Sequence, residues 1–529
     1  MGKGAEGQPD AGLRSLNHYQ NELPPWRYWP RQKLLPLVRY ETPYLAWFQE
    51  KIRTPALDSY FAFTANLGTH TFFMVFLPIL FWSGYPSLGR GMVHLLASGI
   101  FFSGFIKDLL CLPRPLSPPL QRITMSGSAA LEYGFPSSHS TNAVSVAVYS
   151  LHLLDSPDST LSPDLTFFLR ILTYLYVTSI VLGRLYCGMH GFFDVIVGSA
   201  LGVLLAVLHY TYDPAIDEYV HSGSAKQVAL VILIILTLVR IHPEPADDCP
   251  CFDDSLAFAG VTIGAQIAYW HLARANATWD SPHPSTLPRS RFEAISWMQM
   301  GLRLAIGVFL VFAWREIMKP FLLRILPPVF RGLEKLGLLL PRRFFTKASQ
   351  YTKVPAQLKD HDVLPSFSDI PNIITNIRHP RRRAISIGPQ SEADAYETLA
   401  YREKRRRDSL SSPYRGSPAV DAGNDEGSRS GTTLHKLSRK PSKLDEYEHM
   451  MGTGTNAVDV SSESATGMEP FPEFISDERD EEKLFAQIKR PRVRYDVEVV
   501  TKLVVYCGIA WISIDGAPVF FEMIGLMPS

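Results

Sequence analysis

A histidine and an aspartate at positions 190 and 194, four residues apart, form the first pair in this chain whose spacing suggests chemistry. On a helix that spacing puts both on one face. The carboxylate would hold the imidazole in one tautomer and steady its cation, as a nucleophilic or acid–base histidine requires. Arg184 stands six residues earlier, within reach of an anion placed against His190. Two more clusters share this character. Lys107 and Arg114 are seven residues apart, about two helical turns, so both can face one point. Prolines 113 and 115 fix the backbone around Arg114 and aim its guanidinium, which a merely snorkelling cation does not need. Pro136-Ser137-Ser138-His139-Ser140 opens a later apolar segment. Hydroxyls and free N–H groups at a helix start bind phosphate, and His139 beside them can protonate a leaving oxygen. Each cluster also has a bland reading: snorkelling cations, a serine N-cap, a hydrogen-bonded histidine. Together, three cations, an anion-binding helix start, two histidines and a carboxylate suit phosphoryl transfer through a histidine, with no metal or other cofactor.

These residues need a frame. Nearly uncharged stretches at 59–82, 91–111, 140–154, 168–183, 192–209, 227–240, 256–272 and 300–315 are candidate membrane spans. Several fall short of the roughly 20 residues a span needs, so their ends must extend into flanking polar residues. The three clusters lie at span boundaries with two spans between them, and so on one membrane face. The expected fold is all-α: a polytopic membrane helical bundle with a long disordered insert before its last span. Residues 1–58 read as an interfacial segment carrying tryptophan, tyrosine and basic side chains. Residues 59–316 form the membrane bundle and 317–340 an amphipathic interfacial segment. Residues 341–496 are a largely disordered, Ser/Pro/Gly-rich and charged tract, and 497–526 a last span. Asp515, Pro518 and Glu522 interrupt that span, so it is kinked or lines the bundle interior.

Composition closes off other classes. The 529 residues carry 52 basic and 51 acidic side chains, and nothing points to nucleic acid. Five cysteines, at 111, 187, 249, 251 and 507, are too scattered for a disulfide framework, and the 249/251 pair reads as a structural loop rather than a zinc or redox site. In the polar tract, Ser386 and Ser409 follow basic runs. They are candidate acceptors for kinases, although a tail drawn to anionic membrane lipids explains the same charges.

Lys107 with Arg114-Pro115, then Pro136-Ser137-Ser138-His139, then Arg184 with His190 and Asp194 resemble the three signatures of the type 2 phosphatidic acid phosphatase family, which shares its site design with vanadium haloperoxidases. Gly183 stands where that family usually has serine, which removes one hydroxyl. Ser138 replaces the usual glycine but still presents a backbone N–H. Tyr186-Cys187-Gly188-Met189-His190, the loop from His242 to Asp254 and the span 497–525 are similar to fungal long-chain-base (dihydrosphingosine) 1-phosphate phosphatases. The resemblance implies a metal-independent phosphatase of the endoplasmic reticulum membrane that removes phosphate from sphingoid base 1-phosphates. Lys107, Arg114, Arg184, Ser137 and Ser138 would hold the phosphate, His190 would attack phosphorus, Asp194 would orient it, and His139 would protonate the leaving alkoxide. A broader lipid phosphate or isoprenoid diphosphate phosphatase has the same chemistry. A transporter would place its charges inside spans rather than at their ends. Basic residues at 1–58 and 315–347 favour a cytosolic site, whereas the resemblance implies a lumenal one, with the sequon Asn276-Ala277-Thr278 on the opposite face.

Overall fold

A computed structural model describes residue 12 and residues 16–117, 120–123, 132–156, 161–247, 249–274, 297–338, 345–354 and 494–526. The sequon at Asn276, the serines 386 and 409 and most of the 341–496 tract lie outside these residues. Among the described residues, the regular structure is helical apart from one two-residue strand pair. The helices are α1 (Leu16–Glu22), α2 (Pro25–Ile52), α3 (Pro55–Asn66), α4 (His70–Trp82), α5 (Pro86–Leu110), α6 (Ser138–Leu154), α7 (Pro163–Tyr186), α8 (Phe192–His221) and α9 (Ala225–Ile241). They continue with α10 (Cys251–Arg274), α11 (Trp297–Lys335), α12 (Val497–Trp511) and, after a π-helical turn over Ile512–Gly516, α13 (Ala517–Met523). Among the described residues, six segments are long and apolar enough to cross a bilayer: α5, α7, α8, α10, α11 and the continuous Val497–Met523. The chain is a multi-pass membrane protein.

Local chemistry sets where these helices start and stop. Ser162 and Thr54 cap α7 and α3 through their hydroxyls, each with proline as the first helical residue. The apolar stretch 59–82 is two helices, because Thr69 caps a new one after Asn66. Helix α8 runs past residue 209 to His221, where Asp213 and Asp217 find partners in His94 and Arg90 of α5. Helix α11 continues unbroken across residue 316 to Lys335, where Leu323 and Phe330 pack against Ala348 and Val497.

Hydrocarbon supplies little drive for one apolar helix to leave lipid for another, so packing rests on close contact and on polar groups that need partners. The main core joins α4, α5, α10, α11 and α12 through residues such as Phe81, Leu96, Phe258, Phe312 and Tyr506. The last span is therefore integral to the bundle. Asp515 faces inward, 2.7 Å from His271. Helices α6 and α8 meet at Gly198, where a Cβ would come 2.6 Å from the Ser137 carbonyl oxygen. Thr141 Oγ1 also donates to the Gly198 carbonyl at 3.0 Å. This contact joins the two helix starts that carry the Ser-Ser-His and His-Asp clusters.

The far end of the bundle has its own polar network. Arg90 pairs with Asp217 at 2.8 Å, and His94 and His209 lie 3.2 and 3.5 Å from Asp213. Buried Arg303 donates to the Leu526 carbonyl at 2.8 Å. At the site end, strand β1 (Phe345–Thr346) pairs in parallel with β2 (Arg494–Tyr495), Phe345 opposite Arg494 and Thr346 opposite Tyr495. Arg494 then reaches the Cys249 carbonyl and Asp253. Cys249 and Cys251 are disulfide-bonded, a local link that the scattered cysteine spacing did not suggest.

Candidate active site

The end of α5, the starts of α6 and α8 and the end of α7 converge on one point. Lys107 occupies the last turn of α5 and is buried. Helix α5 does not continue to Arg114, as a two-turn spacing would require. It stops at Leu110, with Cys111 in the left-handed conformation at φ 51° as its cap. The prolines either side of Arg114 keep the following chain out of a helix, and the reversed loop returns the guanidinium to the Lys107 side.

Arg114 is held on every side. Its Nε donates to the Glu132 carbonyl at 3.2 Å, Nη2 to the Glu132 carboxylate at 2.9 Å and Nη1 to the Met189 carbonyl at 2.9 Å. Nη1 is also 3.3 Å from His190 Nε2. Glu132 Oε2 lies 3.6 Å from Lys107 Nζ, so one carboxylate bridges both cations. Arg184, in the last turn of α7, is buried and its Nε has no hydrogen-bond partner. A buried guanidinium N–H without an acceptor is costly, and an anion brought into this space would satisfy it.

His190 is buried, in the short turn between α7 and α8. Burial, then the charges of Arg114, Lys107, Arg184 and His139, hold its pKa well below the ordinary imidazole range. The ring is therefore neutral. Its Nδ1 donates to the Gly134 carbonyl at 2.8 Å, which leaves the lone pair on Nε2, the nitrogen facing Arg114. Asp194 stands on the same side, but its Oδ2 is 3.7 Å from Nδ1 and accepts instead from the Gly191 N–H at 2.8 Å. The carbonyl of Gly134 thus orients the ring, and the buried Asp194 carboxyl stands behind it.

Ser137 caps α6, its Oγ accepting from the Ser140 N–H and hydroxyl, and its own N–H donates to the Asp194 carbonyl at 3.0 Å. Ser138 and His139 begin the helix and line a cleft with Lys107, Glu132 and Asp254. All eight residues singled out in the sequence therefore belong to this one end of the bundle. Their supports were not singled out. Tyr133 is tied to Asp247 through two hydrogen bonds at 2.9 and 3.0 Å, which holds the loop carrying Glu132 and Gly134. Gln49 of α2 donates to the Tyr186 carbonyl at 2.7 Å, and Glu41 of α2 accepts from the Phe193 N–H at 3.0 Å at the start of α8. One sequence signal did exist for Glu132: it is the only carboxylate between Asp108 and Asp155.

A multi-pass helical bundle with cations, a helix start and a buried histidine gathered at one end defines a class, and the PAP2 superfamily model matches residues 88–217. The chain belongs to that superfamily. It is 40% identical to dihydrosphingosine 1-phosphate phosphatase C823.11 of Schizosaccharomyces pombe, over 63% of this chain and 79% of that one. It is 34% identical to dihydrosphingosine 1-phosphate phosphatase YSR3 of Saccharomyces cerevisiae, over 58% and 74% respectively. Human sphingosine-1-phosphate phosphatase 2 is 28% identical over 55% of this chain and 73% of its own. The chain matches no solved structure.

Proposed function

We propose that this protein is a lipid phosphatase of the endoplasmic reticulum membrane that hydrolyses sphingoid base 1-phosphates through a phosphohistidine. The observation that carries the mechanism is the pairing of a neutral His190, its Nε2 turned to the Arg114 guanidinium, with the buried, unpartnered Nε of Arg184. Two relatives named for dihydrosphingosine 1-phosphate support the substrate. The phosphate binds Lys107, Arg114, Arg184, the Ser137 hydroxyl and the Ser138 N–H. Nε2 of His190 attacks phosphorus, the P–O bond to the lipid breaks, and His139 gives its proton to the departing alkoxide. His139 then takes a proton from water as that water attacks phosphorus, and the P–N bond breaks to release inorganic phosphate and neutral His190. Charge building on the phosphoryl oxygens meets three side-chain cations, the role a metal would otherwise fill. Asp194 steadies the imidazolium between the two steps. The lipid tail stays in the bilayer while the head group reaches the bundle end. Ser386 and Ser409 remain proposed kinase sites.

The test is phosphate release by the purified protein in EDTA from dihydrosphingosine 1-phosphate, phosphatidate and an isoprenoid diphosphate, with His190→Ala as the blank. Release from the sphingoid substrate well above the other two is expected. No release above the blank from any of them would refute the reading.

A further inference from the structure

The phosphate site contains a carboxylate that phosphate chemistry alone does not call for. Glu132 Oε2 lies 2.9 Å from Arg114 Nη2 and 3.6 Å from Lys107 Nζ, and its side chain is 23% exposed toward the cleft. A second acid, Asp254 in the first turn of α10, lines the same cleft beside Lys107, Ser138 and His139. Its neighbour Asp253 turns away to Arg494 and Lys502, at 3.4 and 3.5 Å. Glu132 also lies close enough to Arg184 for their charges to interact, and the Arg184 Nε has no acceptor. An anion that satisfies Arg184 and takes over the fork of Arg114 must therefore come to rest against Glu132.

A simple phosphate ester would suffer from that neighbour, because its dianion and the carboxylate repel in a site with little water. A substrate with its own cation beside the phosphate would not. An ammonium on the carbon next to the phosphate-bearing one fits between the two anions and offsets both.

We propose that Glu132, supported by Asp254, is a binding site for the ammonium group of the substrate, making this end of the bundle selective for vicinal amino-alcohol phosphates. The proposal deepens the phosphatase reading above and rests on it. Glu132 acts as a specificity residue: in the resting site it bridges Lys107 and Arg114, and with substrate bound it pairs with the amine. The same two carboxylates would disfavour phosphatidate, which brings negative charge alone.

The experiment compares kcat/KM, in mixed micelles, for dihydrosphingosine 1-phosphate and for the matched lipid in which a hydroxyl replaces the amine. Wild type should favour the amine by roughly tenfold to a hundredfold, the range for a charge-assisted hydrogen bond. In Glu132→Gln that preference should collapse toward unity, with a large loss on the amine and a smaller loss, or a gain, on the hydroxyl lipid. Asp254→Asn should lower the preference in part. An equal fall on both lipids would make Glu132 only a prop for Arg114 and overturn the proposal, as would an unchanged preference in a folded Glu132→Gln protein. Equal turnover of the two lipids by wild type would overturn it without any variant, while leaving the phosphatase reading in place. Turnover of neither would remove both.

Discussion

Replacing Asp194 by asparagine separates two jobs that one residue would be expected to share. If Asp194 chiefly oriented His190, the variant would lose one hydrogen bond, about 1 kcal/mol or severalfold in rate. The geometry assigns orientation elsewhere, since Nδ1 donates to the Gly134 carbonyl at 2.8 Å while Asp194 Oδ2 stands 3.7 Å away. What Asp194 offers, once ionised at the pH 8 of the assay, is charge. At 3.7 Å and an effective dielectric of about 20, opposite unit charges attract by about 4.5 kcal/mol, a ceiling of roughly 10³-fold in rate. That attraction exists only once His190 becomes an imidazolium, so its loss should fall on kcat. Asparagine can still accept from the Gly191 N–H, so α8 keeps its cap and the bundle its thermal stability. We expect kcat for Asp194→Asn to fall by roughly 10²–10³ at pH 8 with KM near wild type. Steady-state phosphate release and thermal unfolding in the same detergent measure both quantities. A variant that keeps more than about a tenth of wild-type kcat, below the smallest loss expected from a charge-stabilising group, would refute this division of labour.

Other consequences of the site are open to direct measurement. Gly134→Ala puts a Cβ 2.6 Å from the Pro113 carbonyl oxygen and 2.9 Å from Arg114 Cα, so it must shift the carbonyl that holds His190 or the backbone that carries Arg114, and activity should fall at least about tenfold. The depressed His190 pKa makes it neutral through pH 7, and the acid limb of kcat/KM should lie below about 6.5; a limb at or above that value would count against a buried neutral nucleophile. The same group affects stability. The unfolded chain takes up this proton near pH 6.5 and the folded one only at lower pH, so stability is unaffected above that value and falls as pH drops through the window beneath it. His190→Ala should lose that part of the acid sensitivity when unfolding temperature is followed against pH. Activity should persist in excess chelator; loss in EDTA restored by magnesium would point to a different chemistry.

The groups proposed to bind phosphate are legible in the sequence because each sits at the polar boundary of an apolar run, where a cation or histidine stands out. Their supports were harder to see. Gly134 acts through a carbonyl, which every residue has, so no residue type marks it. Glu41 and Gln49 come from α2, a single helix through Pro30, Pro36 and Pro43 in what the sequence presents as an interfacial approach. Their partners lie more than a hundred residues further on, at Phe193 and Tyr186, and only folding brings them together. Arg114 was found for a partly wrong reason. Its spacing from Lys107 suggested a shared helix face, whereas a left-handed cap at Cys111 and two prolines return it by a loop. Span ends were misjudged wherever polar residues still face protein, as in the last turns of α8. The fold class itself was plain, because uncharged runs of that length leave few alternatives to a helical bundle.

The parallel pairing of β1 with β2 has a consequence for how the chain can be divided. Residues 354 and 494 flank about a quarter of the sequence, yet both lie at the same end of the bundle: Asp496 accepts from the Ala348 N–H at 2.8 Å, and Val497 packs with Leu323 and Phe330. Helix α12 then threads the main core beside α10. The described residues on either side of this stretch thus form two interlocking pieces with contacts of their own. Co-expressed fragments ending near 354 and starting near 494 should therefore reassemble, the last span docking as a separable piece of the bundle.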